Sequence, residues 1–416
     1  MIELRHILDA RSRLSEGAIK ETPCLESEAL SERCGVHLYL KYETLQRTGS
    51  FKPRGALNRI LTLNQEERSR GVIAASAGNH AQGLAYAAGV VGVDALIVMP
   101  ESTPLVKITR TQELGASVEL HGQNLDESLG RARELEEQRG MTFVHPFDDA
   151  AVIAGQGTVG LEILEQVPDL EAIVSPIGGG GLISGIATAV KAQRPDVEIY
   201  GVQSEAAPAM KQSFDAGEWR SSEVTPTIAE GITLKKPGDL TFPIIRRLVD
   251  GIELVSEAEI EGAVYELLET GKSLAEGAGA AGYCAIRNGR FPQLAGKKVV
   301  VILCGANIDL NILGRIIERS LLKQHRLVRL GITVKDRPGG LARMLAVVAE
   351  REANVLHIHH NRVFTETAFW QVDVELTLEV KNRQHIEQLL EALAQAGYSR
   401  IEELGVPLVP APHLDR

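Results

Sequence analysis

The chain has 416 residues, 44% apolar and 24% charged, which suits two or three folded units with ample cores and excludes a single small module. Lys and Arg number 44 against 55 Asp and Glu, a net charge of −11 with no basic run, so a nucleic-acid-binding surface is not expected. No stretch approaches the ~20 apolar residues of a membrane helix, and the charged N-terminus MIELRHILDARSR lacks the apolar centre of a signal peptide, so a cytoplasmic chain without membrane contact is expected.

The first chemistry-bearing segment is 48-TGSFKPRGA-56. A lysine is ordinarily solvated surface, but Lys52 follows Phe51 and precedes a proline suited to a first helical turn. Its ammonium would then sit at the positive end of a helix beside an aromatic ring, and both features are expected to disfavour its charged form. A lysine of lowered pKa is what Schiff-base chemistry with an aldehyde cofactor needs. Next, the strand 71-GVIAAS-76 runs into 76-SAGNHAQGLAYAAG-89. Read plainly, this is a strand–loop–helix joint with Asn79 as N-cap and Gly78 in the turn. Read functionally, the backbone N–H groups of Ser76, Ala77, Gly78, Asn79 and His80 form a seat for a substrate carboxylate, and the Asn79 amide can bond a ring hydroxyl.

Strands 94-DALIVM-99 and 116-ASVEL-120 follow, then the glycine-rich 154-AGQGTVG-160, then strands 171-EAIVSP-176, 197-VEIYGV-202 and 297-KKVVVILC-304. Continuous apolar strands alternating with helices predict parallel sheets covered on both faces. The glycine-rich break separates early from late strands, so two sheets, two lobes and a ligand cleft between them are expected. Within 174-VSPIGGGGLISG-185, four consecutive glycines join a buried strand to an apolar helix and expose N–H groups suited to a phosphate dianion. No Lys-Ser/Thr pair follows, so this is not a P-loop. The segment 277-GAGAAG-282 matches GxGxxG, but 261–276 reads as helix rather than strand, which excludes a dinucleotide site. Gly271-Lys272-Ser273 reads as a helix end. The four cysteines, Cys24, Cys34, Cys284 and Cys304, lie far apart without metal-ligand spacing, and Cys304 ends a buried strand where ligands of parallel sheets collect.

A different rhythm begins near residue 326, after the helical connector 314-GRIIERSLLKQHR-326. A strand, the turn Asp336–Gly340, a helix, two strands (353–364 and 367–380), the helix 384-QHIEQLLEALAQAG-397 and a short last strand make a βαββαβ order, the ferredoxin-like plan. His357 and His359 share one strand face and His360 the other, without a carboxylate or cysteine nearby, so solvent-facing residues are expected rather than a metal site.

Together, the lysine in SFKPRGA, the SAGNH loop, the GGGGL loop and the CGANID strand end, in this order, resemble the fold type II (tryptophan synthase β-like) pyridoxal phosphate enzymes, and among them the threonine dehydratases (threonine ammonia-lyases). Through DRPGGLARML the last part is similar to an ACT regulatory domain. The resemblance implies an α/β fold: a two-lobed catalytic domain over 1–320 with its smaller lobe, about 50–152, inserted, a linker at 321–326, the ACT domain over 327–405 and a Pro-rich tail over 406–416. It implies that Lys52 carries pyridoxal 5'-phosphate as a Schiff base, that Phe51 packs on its ring and that Asn79 bonds its 3-hydroxyl. Gly178, Gly179, Gly180, Gly181 and Leu182 would hold its phosphate, Cys304 would face its pyridine nitrogen, and Glu276 would approach it. A thiol there cannot hold that nitrogen protonated, which favours elimination over transamination.

The implied reaction is the β-elimination of L-threonine to 2-oxobutanoate and ammonia, the first step toward isoleucine, with L-serine also converted to pyruvate. Lys52 would remove the α-proton and the cofactor phosphate would protonate the departing hydroxyl. Cysteine at the Cys304 position occurs in some serine dehydratases, so L-serine is a rival substrate. Serine racemase is the other rival, but it needs a second base where Ala77 stands, and its metal positions align with Gln203 and Ala209, so no metal is expected. A ligand sensor that lost catalysis is disfavoured by the intact Lys52. An amino-acid effector at the ACT domain and a homodimer or homotetramer complete what the resemblance implies.

Overall fold

The computed structural model describes residues 2–14, 17–361, 368–398 and 400–404. The tail expected over 406–416 lies outside the described residues. The chain divides into two compact units between Asp309 and Leu310.

The first unit holds two sheets. The larger has six strands in the order Cys24–Glu26, His37–Tyr42, Lys298–Leu303, Ala172–Pro176, Glu198–Ser204 and Gly251–Val255, all parallel except the first pair. The smaller, all parallel, runs Ser117–Leu120, Ala95–Met99, Val72–Ala75, Thr142–Phe143. Strands such as Ala95–Met99 and Ala172–Pro176 are buried along their whole length, as expected where helices cover both faces. The chain leaves the larger sheet after Tyr42, builds the smaller one over 72–143 and returns through the helix Ala150–Gln166. Each predicted strand is present, shifted by a residue or two at its ends. Four were not predicted: Cys24–Glu26, His37–Tyr42, Thr142–Phe143 and Gly251–Val255. Of these, His37–Tyr42 carries a buried lysine, Lys41, which breaks the apolar-run signal, and Gly251–Val255 is an edge strand with Glu253 at its centre.

The helix expected over 261–276 ends at Glu269. Lys272 takes φ +50°, residues 270–276 form a loop, and Glu276 becomes the N-cap of the helix Gly277–Arg287. The GAGAAG motif therefore lies inside a helix that follows a loop.

The second unit contains the helix Leu310–Lys323 and a four-stranded antiparallel sheet ordered Asn354–Asn361, Gln371–Glu379, Leu327–Lys335, Ile401–Glu403. Helices Gly340–Glu350 and Arg383–Gln395 complete the βαββαβ plan. Val328, Leu330, Ile332 and Val334 alternate inward beside Val372, Val374, Leu376 and Leu378, and Met344, Val348 and Leu389 of the helices close the core. His357, His359 and His360 are all exposed, as are Leu356 and Ile358 among them, so neither face of this edge strand is covered beyond the bulge between Val355 and His357.

Candidate active site in the catalytic unit

Lys52 opens the helix Lys52–Leu61, with Phe51 as N-cap and Pro53 as the next residue. Its Nζ donates to the Pro146 carbonyl at 2.9 Å and lies 5.1 Å from the centre of the Phe51 ring. Burial lowers its pKa to about 8, against the opposite pull of Cys304 and Glu276. The ring face attracts a cation at that distance, so Phe51 opposes the lowering rather than contributing to it as expected from sequence. Desolvation is the cause.

Asn79 is the first residue of the helix Asn79–Val91 and Gly78 is its N-cap, which corrects the capping role expected for Asn79. Freed from capping, its side chain is fixed from two sides. Its Nδ2 donates to Glu276 Oε1 at 2.7 Å, and its Oδ1 accepts from Asn307 Nδ2 at 2.7 Å. The Asn307 backbone N–H donates to Glu276 Oε2 at 3.1 Å, and its Nδ2 also reaches the Thr48 carbonyl at 2.8 Å. Burial raises the Glu276 pKa to about 7 against these hydrogen bonds. One Asn79 N–H is left over for a ligand.

In the loop before this helix, the Ser76 N–H is spent on the Val98 carbonyl at 3.1 Å, so it does not join the carboxylate seat as expected. The Gly78 N–H donates to Ser76 Oγ at 3.2 Å. The N–H groups of Asn79 and His80 belong to the first helical turn, where no i−4 carbonyl serves them, and that of Ala77 lies just before the Gly78 cap. His80 is buried with Nε2 at 2.8 Å from the Val144 carbonyl. Burial and the nearby Lys52 lower its pKa to about 3, so the ring is neutral and Nε2 carries the proton.

The glycine loop ends the strand Ala172–Pro176 and opens the helix Gly181–Gln193, with Gly180 as N-cap at φ +90°. A Cβ on Gly179 would lie 2.3 Å from the Phe147 ring, and one on Gly180 would lie 2.6 Å from Ile245 Cδ1. The Gly179 carbonyl accepts from Thr241 Oγ1 at 2.6 Å. Glycine is thus required behind the loop by packing, while Gly181 and Leu182 present first-turn N–H groups. Pro146 holds the Lys52 amine and its neighbour Phe147 backs the glycine loop, so one dipeptide joins the two features.

Cys304 follows the strand Lys298–Leu303 and is buried. Its carbonyl accepts from the Phe51 N–H at 3.1 Å, and Ser50 bridges Gly305. Burial and then the Glu276 charge push its thiol pKa well above the usual value, so it is neutral. Lys52, Asn79, Glu276 and Cys304 therefore meet in one place.

The family model for pyridoxal-phosphate dependent enzymes matches residues 16–305. The chain belongs to that family. Its cofactor is pyridoxal phosphate, and an ACT domain matches residues 328–397. The chain is 48% identical over 398 residues to the L-threonine ammonia-lyase of Thermotoga maritima, covering 96% of this chain and 98% of that one. Among solved structures it is similar to threonine deaminase isoform 2 of Solanum lycopersicum, with a TM-score of 0.72, 38% identity and coverage of 76% and 92% of the two chains. Maize serine racemase is also similar, with a TM-score of 0.73, 34% identity and coverage of 78% and 99%.

The residues of this pyridoxal-phosphate dependent enzyme fit the cofactor. A first-turn glycine cradle suits a phosphate, an amine of lowered pKa suits an aldehyde, and Ser50 Oγ and Thr48 Oγ1 are buried without a hydrogen-bond partner. Sequence reasoning missed Pro146, Phe147 and Asn307. The first two sit in 145-HPFD-148, just after the strand Thr142–Phe143, and that strand-end position was the available signal. Gln203 Oε1 accepts from the Lys211 N–H at 2.8 Å, Ala209 opens the helix Ala209–Ala216, and no cluster of His, Cys, Asp or Glu suited to a metal occurs among the described residues.

Proposed function

We propose that this chain converts L-threonine to 2-oxobutanoate and ammonia by β-elimination, acts on L-serine to give pyruvate at the same site, and is regulated by an amino acid bound to its ACT domain. The observation that carries the reaction is the Lys52 amine, half-buried, depressed to a pKa of about 8 and grouped with Asn79 and the neutral Cys304. Identity of 48% to an L-threonine ammonia-lyase, extending over both units, supports the substrate.

Pyridoxal phosphate, when bound, supplies an aldehyde for amines and a conjugated ring that takes up the electron pair freed at the substrate α-carbon. Gly178–Leu182 would hold its phosphate, Asn79 its ring hydroxyl, Phe51 its face and Cys304 its ring nitrogen. The N–H groups of Ala77, Asn79 and His80 hold the substrate carboxylate at the positive end of their helix. Neutral His80, bonded to the Val144 carbonyl, keeps that loop in place without adding a charge. The Lys52 amine takes the α-proton, and a pKa near the working pH leaves part of it in the basic form. Cys304 stays a thiol and puts no fixed anion against the ring nitrogen. The β-hydroxyl leaves as water, with a proton that the phosphate held at Gly178–Leu182 would supply, and the released enamine hydrolyses to 2-oxobutanoate and ammonia.

Ala77 weighs against the racemase alternative, since a methyl group carries no proton on the face opposite Lys52. The same proposal includes a homodimer or homotetramer, for which the exposed Leu356, Ile358, Phe369 and Trp370 of the C-terminal unit offer apolar surface. It places the chain in the cytoplasm, where its four free cysteines stay reduced. The test follows keto acid and ammonia from L-threonine and L-serine side by side, with chiral analysis of the remaining serine. Accumulation of D-serine as fast as pyruvate would overturn the elimination reading.

A further inference from the structure

Lys52 lies within a segment, residues 41–54, that leaves the larger sheet after the strand His37–Tyr42 and enters the helix Lys52–Leu61. Both ends of this segment carry buried charges that the reaction does not use. Lys41, Glu43 and Arg54 are at most 1% exposed, and they converge with Glu162 of the helix Ala150–Gln166. Lys41 Nζ donates to Glu162 Oε2 at 2.6 Å. Arg54 donates from Nη1 to Glu162 Oε1 at 2.5 Å and from Nη2 to Glu162 Oε2 at 2.9 Å. Its Nε and Nη2 also reach Glu43 Oε2 and Oε1, each at 2.8 Å. Two cations and two anions leave the cluster neutral.

The remaining donors and acceptors are satisfied. Thr22 Oγ1 donates to Glu43 at 2.5 Å, and Lys41 also donates to the Thr22 carbonyl at 2.6 Å and to Gln166 Oε1 at 3.0 Å. Burying four charges gains little over apolar packing of the same volume. What it supplies is geometry, because an Arg fork on carboxylates is stiff and directional.

Two close backbone approaches hold the same helix. A Cβ on Gly155 would lie 2.5 Å from the Arg54 carbonyl, and one on Gly83 would lie 2.8 Å from Lys52 Cβ. The helix is therefore clamped on two sides and tied at its base. We infer that Glu162 is a positioning residue for Lys52, because by gripping Lys41 and Arg54 at the two ends of the 41–54 segment it sets the place of the lysine amine against the Pro146 carbonyl and the glycine loop. The inference rests on Lys52 being the cofactor-carrying base.

The test uses the full-length holoenzyme, Glu162→Gln, and the pair Lys41→Met with Glu162→Gln, which keeps the cluster neutral and so provides a second variant if the single one fails to fold. For each, kcat and KM for L-threonine are measured well below the thermal midpoint. The pH dependence of the cofactor absorption and the lysine labelled after borohydride reduction are also recorded. The expected result is a label still on Lys52, kcat lowered about ten- to a hundredfold as a displacement of about 1 Å would do, KM nearly unchanged, and a displaced pH midpoint of the absorption. A folded variant with parental kcat and parental midpoint, even one that melts earlier, reduces Glu162 to a structural residue and overturns the inference. A label on another lysine in the parent enzyme overturns the reading of Lys52 itself.

Discussion

In the catalytic unit Lys41, Glu43, Arg54 and Glu162 lie inside the protein, whereas the described buried side chains of the C-terminal unit include no carboxylate, lysine or arginine. There the inward sheet face is Val, Leu and Ile, and pairs such as Arg329 with Glu375 remain at the surface. The contrast is physical. An apolar core is adaptable and tolerates small shifts, while an interior charge cluster has one satisfied arrangement and is costly to break. The unit that must place an amine among other groups contains the rigid device, and the unit whose core only stacks a sheet on helices does without it.

Breaking the comparison starts at the amine. Lys52→Ala should lower the rate by at least about a thousandfold and abolish the borohydride label, read by keto-acid assay and peptide mapping, while thermal unfolding of the C-terminal unit stays unchanged. Arg54→Met leaves Glu43 buried without its cation and Glu162 with Lys41 alone. Burial alone would raise the Glu43 pKa, and the Arg54 charge overrides it to give a lowered value, so loss of Arg54 exposes that cost. Denaturant unfolding should show a loss of roughly 3–5 kcal/mol. Arg329→Ala in the C-terminal unit should change stability by no more than about 0.2–1 kcal/mol, and a comparable loss at both sites would erase the contrast.

Gly179→Ala forces a methyl against Phe147 and should weaken cofactor binding by at least about tenfold, near 1.4 kcal/mol, in an equilibrium titration. For the C-terminal unit, isoleucine or valine added to the full chain should shift the apparent affinity for threonine several-fold, a coupling of about 1–3 kcal/mol. Absence of any response, with no heat of binding, would leave that unit a structural one.

The remaining effect concerns pH. The Glu276 pKa is raised in the folded state to about 7, so its contribution to stability is full below the unfolded value near 4.5 and is lost as pH rises through 7. The thermal midpoint of the parent relative to Glu276→Gln should therefore fall between pH 5 and 8. A constant difference would show that the carboxyl does not titrate there. Activity of the parent should rise as pH increases through about 8, following the free Lys52 amine.

Much of this was written locally. The SFKPRGA, SAGNH, GGGGL and CGAN segments each lie at a strand end or helix start, so a few adjacent residues reveal both backbone geometry and chemistry. The strands with continuous apolar runs were legible for the same reason, and His37–Tyr42 was hidden by Lys41. Lys41 reads as a solvated residue until Glu162, 121 positions away on the helix Ala150–Gln166, is seen beside it. The helix predicted through 276 failed because only the packing of Gly277 against the Ile228 carbonyl shows where the loop must turn.

By itself the sequence determined the succession of strands and helices, the glycine cradle, the candidate amine and the separate ferredoxin-like unit, because propensity, apolar period and turn chemistry act over neighbouring residues. The tertiary structure alone decided that Pro146 receives the lysine, that Phe147 makes Gly179 obligatory, that Asn79 is held by Glu276 and Asn307 rather than capping its helix, and that Lys41, Glu43, Arg54 and Glu162 share one interior. These are contacts between residues up to 228 positions apart, each ordinary in its own segment. Burial and charge act through space, so a partner's identity and the resulting pKa shift exist only once the chain has brought the groups together.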